Sequence, residues 1–134
     1  MSWSRTAHRY VARLIAAAVV AQFFLAGAGA FGATSFAPHK ALGWLLLILA
    51  AVEMLLALLG RTLIRHSGAL VLVTVVQVAV GVLGADTSAW FGALHTVNAI
   101  AVIAAAGTLA RRTSSPSSSG ATIEIDGGTQ AGAG

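Results

Sequence analysis

Apolar residues run almost unbroken over residues 11–31, 41–59, 68–84 and 90–110, and short polar breaks at 32–40, 60–67 and 85–89 separate them. A bilayer core takes about 20 apolar residues, with a range of about 17–25. The runs are apolar on every face rather than along one stripe, the pattern of helices in lipid and not of amphipathic helices on a soluble core. Connections this short force consecutive helices to lie antiparallel. The expected fold is therefore all-α: a four-helix transmembrane bundle, up-down-up-down, occupying residues 1–112. Residues 113–134 are rich in Ser, Gly and Thr, which predicts a disordered tail.

Composition agrees. Of the 134 residues 57% are hydrophobic and 9% charged, with mean hydropathy +0.87, whereas soluble domains carry about 25% charged residues. The net charge of +4 does not signal nucleic acid, because the basic residues form no stripe with interleaved aromatics. It signals topology. Arg5, Arg9, Arg13, Arg61, Arg65, Arg111 and Arg112 fall at one end of the runs and Lys40 alone at the other, so both termini are expected in the cytoplasm. Residues 1–30 also match a secretory signal peptide, with a basic start, an apolar centre and Ala28-Gly29-Ala30; the repeat described next favours retention as the first helix. There is no cysteine, hence no disulfide and no thiolate ligand.

The polar residues inside the runs recur. Gln22 is followed by Ala26, Gly29, Thr34-Ser35 and His39; Gln77 is followed by Gly81, Gly84, Thr87-Ser88 and His95. Positions i, i+4 and i+7 share a helix face, so each hairpin carries a Gln followed by small residues on its first helix and a His on its second. Two such hairpins imply a pseudo-twofold axis along the membrane normal, with His39 and His95 facing each other across it. Two imidazoles on opposing helices and a slot floored by small residues suit haem iron. Gln22, Gln77, Gly81 and Asn98 would line the slot, with Asn98 on the face of His95. The residues alone also allow a plainer reading, in which His39 is interfacial beside Pro38 and Lys40 and the others hydrogen-bond between helices. Glu53 in the second run is either a proton site or a packed residue reaching Arg61 or Arg13. Asp86 with His39 and His95 would make only a loosely spaced metal site.

Two resemblances attach to these residues. Gln22-Phe23-Phe24-Leu25-Ala26-Gly27, His39-Lys40-Ala41-Leu42-Gly43, Gln77 and the run from Leu94 to Ala99 resemble an uncharacterised family of small bacterial four-helix membrane proteins, which implies the topology and a bacterial plasma membrane but no activity. More distantly, His39 with Leu42-Gly43, Gln77 with Gly81, and Leu94-His95 are similar to one half of haem A synthase. That resemblance implies b-type haem between helices two and four, with His39 and His95 as ligands and Gln77 and Gly81 lining the pocket. The chain lacks that family's cysteine pair and outer-loop acid, so the resemblance extends to haem binding and not to oxidation of a haem methyl.

The leading expectation is thus an integral membrane protein holding haem b for electron transfer or haem handling. A cofactor-free adaptor or accessory subunit, bound to another membrane protein or to a second copy, is the alternative. A small proton-coupled transporter using Glu53 is a third; the four-helix multidrug-resistance proteins it resembles place their carboxyl in the first helix, not the second. No motif for phosphate binding, nucleophilic catalysis or zinc is present, and an enzyme is not expected.

Overall fold

Lipid leaves a chain no water to satisfy its backbone, so each apolar run closes its hydrogen bonds internally as a helix. The computed structural model describes residues 2–86 and 88–114, without the side chains of Ser2, Ala85 and Asp86. Expectations for the tail from residue 115 onward and for the Asp86 carboxylate lie outside the described residues. Four helices form: α1 (Ser2–Ala30), α2 (Ala37–Gly60), α3 (Ile64–Asp86) and α4 (Ala89–Ser114). They hold 23 to 29 residues, or about 35–43 Å at 1.5 Å per residue, longer than a hydrocarbon core of about 30 Å. Each is apolar enough to cross a membrane.

The helices outrun the apolar segments. α1 begins at Ser2 rather than at residue 11, which carries Arg5, His8 and Arg9 into the bundle's first turns. α4 continues through Thr113 and Ser114, whose hydroxyls bond back to the Ala110 carbonyl. The turns explain where each helix stops. Gly32 takes a left-handed φ of 73° just after α1, a conformation that costs glycine nothing. Pro38 occupies the first turn of α2, where a missing N–H is harmless. Arg61 ends α2 in the left-handed region at φ 49°, its N–H capping the Leu58 carbonyl while the Thr62 N–H caps that of Ala57.

Each helix packs against the helices beside it, and α1 against α4 closes the ring. The diagonal partners α2 and α4 come together through the side chains of His39 and His95. The interior is narrow because much of it is alanine: Ala12, Ala50, Ala57 and Ala106 are fully buried, with Ile15, Leu70, Val102 and Leu109 between them. Small residues let helix backbones approach where van der Waals packing is the main driving force. The large side chains point outward instead. Phe31 is 92% and Trp90 84% exposed, and Phe24, Leu59 and Leu72 are likewise on the outside, a surface that only lipid covers without penalty.

Candidate functional site

Far from the arginines, the repeat becomes geometry. His39, in the first turn of α2, places Nδ1 3.2 Å from the Gln22 carbonyl of α1. His95, on α4, places Nδ1 2.8 Å from the Gln77 carbonyl of α3. A carbonyl only accepts, so both rings carry a proton on Nδ1. The two rings meet edge to face with centroids 5.8 Å apart and planes at 66°. Each histidine is therefore held by the main chain of its own hairpin partner and presented to the other histidine across the diagonal.

The symmetry is broken at one position. The Gln77 amide donates to His95 Nε2 at 3.2 Å. Asn98 donates to the Gln77 side-chain oxygen at 2.8 Å and to the Val73 carbonyl at 2.9 Å. Asn98 stands three residues beyond His95; the residue three beyond His39 is Leu42. Gln22 consequently lacks the amide partner that Gln77 has, and its Oε1 is buried without a hydrogen-bond partner. Asn98 acts on His95 through Gln77 rather than by direct contact.

Small residues shape what remains. A Cβ on Gly81 would stand 2.7 Å from His95 Nδ1, and one on Gly43 would stand 3.2 Å from Gln22 Nε2. Two opposed gaps flank the histidine pair. One, about 100 Å³, opens between α2 and α3 past Gly43 and Gly81; the other, about 40 Å³, opens between α1 and α4 past Ala26 and Ala99. The pseudo-twofold exchanges them. Above the pair lies a wider cleft of about 400 Å³, bounded by Phe36, Lys40, Gly84 and Gly92. The sequence-predicted residues His39, His95, Gln22, Gln77, Gly81 and Asn98 thus belong to one site.

Glu53 does not belong to it, nor does it reach Arg61 or Arg13 as the sequence suggested. Its Oε1 lies 2.5 Å from His8 Nδ1 of α1 and accepts from Ser67 Oγ of α3 at 3.1 Å. All three side chains are fully buried. The correction has a physical reason: α1 starts nine residues before its apolar run, and this places His8 opposite Glu53 inside the bundle. Fourteen residues separate Gln22 from His8 and fourteen separate His39 from Glu53, so the antiparallel register that pairs the first couple also pairs the second. That register was the signal in the sequence that could have found His8. Among the described residues no group of three or more His, Cys, Asp or Glu side chains is placed to hold a metal ion.

No curated protein matches the chain, and no solved structure does. Over residues 22–83, which include Gln22, His39, Glu53, Gln77 and Gly81, this integral, multi-pass membrane protein is similar to a family of unknown function (DUF6220).

Proposed function

We propose that this chain is a b-type haem protein of the bacterial plasma membrane, with its arginine-rich end in the cytoplasm and His39 and His95 as the axial pair near the outer side. Seven arginines at one end against Lys40 at the other support the orientation. The carrying observation is the histidine pair itself. The two rings stand 5.8 Å apart, centroid to centroid, from opposing helices, so His39 and His95 are the residues that would hold the iron. An Nδ1–H bond to a carbonyl is the outer contact that fixes a metal-binding histidine's tautomer and raises its basicity, and both rings have it.

The donor set fits. Gly43, Gly81, Ala26 and Ala99 would face the macrocycle through the two gaps. The gaps are below the roughly 300 Å³ at which ligand pockets begin, so holding the group would require the helices to separate around the pair and the Gln77 amide to leave His95 Nε2. A haem with both axial positions filled by histidine supplies one-electron transfer. The chain's own part would be to fix the orientation of both imidazoles through their Nδ1–H bonds and to exclude water with apolar walls.

The reduced-minus-oxidised visible spectrum of protein produced with a haem supply tests this. A low-spin b-type signal near one haem per chain is expected, lost in His39→Ala and in His95→Ala while insertion and helicity persist. A colourless folded bundle, or a single-histidine variant with an unchanged spectrum, refutes the assignment.

A further inference from the structure

The His8–Glu53–Ser67 cluster lies about 21 Å along the bundle from the histidine pair, fourteen residues at 1.5 Å each, and the haem reading makes no use of it. Its arrangement is unusual for a purely structural bond. Three wholly buried polar side chains from three helices converge, yet two of their atoms, His8 Nε2 and Glu53 Oε2, have no hydrogen-bond partner. A network built only to join helices satisfies its members, because in low dielectric a half-satisfied one is worse than none.

The surroundings lead toward one end. A cleft of about 320 Å³ enters between α1 and α2 at the arginine-rich end, lined by Ser4, Arg5, Leu56 and Gly60 among others. Ser4 is four residues before His8 and Leu56 three after Glu53, so the cleft stops about one helical turn, some 5 Å, short of the pair. Open space at the arginine-rich end therefore comes within about one helical turn of the pair.

We propose that the pair is a proton-binding site served from the arginine-rich end. In the empty form neutral His8 donates its Nδ1 proton to the Glu53 carboxylate, and the pair carries one negative charge. In the loaded form a proton arriving from water in the cleft adds to the Nε2 lone pair, giving an imidazolium against a carboxylate with no net charge. Release returns the same proton to water, and no bond other than N–H forms or breaks. Ser67 keeps a neutral hydroxyl on Glu53 Oε1 in both forms. Around the pair, α3 contributes the Ser67 hydroxyl, and α4, packed against α1, has no acidic residue and brings the guanidinium groups of Arg111 and Arg112 to the same end. Net neutrality is what an apolar bundle tolerates, so the loaded form is the less costly one to bury.

Nitrogen-15 NMR of histidine-labelled, haem-free full chain in lipid nanodiscs reads the proton directly. His8 is assigned by the resonance lost in His8→Gln, or by elimination of His39, His66 and His95 if that variant fails to insert. Nε2 is expected to pass from protonated to unprotonated as pH rises, and Ser4→Phe, which fills the cleft, is expected to slow the exchange several-fold without changing its extent. A His8 Nε2 fixed in one state over the whole pH range in which the bundle stays folded overturns the site. Unchanged exchange in Ser4→Phe overturns the route. Neither outcome depends on whether haem binds.

Discussion

Gly81 supports His95 by what it lacks, and replacing it with alanine tests how tightly the site is built. The new Cβ would stand 2.7 Å from Nδ1 and 2.8 Å from Cε1 of His95, where non-bonded carbon contacts settle at about 3.5–4.0 Å. The imidazole cannot yield freely, because Nδ1 is bonded to the Gln77 carbonyl at 2.8 Å and Nε2 receives the Gln77 amide. Overpacking costs about 1–3 kcal/mol. A ring pushed off the carbonyl forfeits about 0.5–1.5 kcal/mol more, while alanine returns up to about 1 kcal/mol of helix propensity. The net expectation is a loss of about 1–3 kcal/mol, roughly 5- to 150-fold in the folding equilibrium. Gly27→Ala is the control, since its Cβ would meet nothing within 4 Å; it should be neutral or slightly stabilising. Equilibrium unfolding of both variants in mixed micelles, followed by far-UV circular dichroism, makes the comparison. Gly81→Ala as stable as Gly27→Ala would mean that α3 does not bear on His95 as described.

Two further outcomes follow from the hydrogen bonding. Leu42 occupies the position that Asn98 holds in the second hairpin, so Leu42→Asn gives the bare Gln22 Oε1 a donor. It should cost at least about 1 kcal/mol less than Leu49→Asn, which sits against the apolar core; equal costs in the same unfolding assay would refute the symmetry argument. Glu53→Leu alone leaves His8 buried without its partner and should cost about 3–5 kcal/mol. His8→Leu with Glu53→Leu should cost clearly less than the two single changes added together, and an additive result in a double-mutant cycle would show that the pair does not interact.

The sequence by itself determined the number of helices, their antiparallel order and the recurrence of a Gln and a His in each hairpin. Transfer into lipid is a property of each segment taken alone, so four apolar runs declare four helices before any packing is considered. Side-chain periodicity carried the repeat, because polar residues are costly in lipid and few enough for their spacing to be read. The tertiary structure alone decided how each helix is turned about its axis. Lipid tails and helix interiors are equally apolar, so hydropathy does not mark the inward face of runs built from Ala, Val and Leu. For that reason the exchange of Glu53's expected arginine for His8, at which the equal fourteen-residue spacings hint, was decided only when three helices were placed together. The same holds for Gly81 beneath the His95 ring and for the consequence of Leu42 standing where Asn98 has its counterpart. Each depends on facing surfaces from different helices, and a one-dimensional pattern contains only one surface at a time.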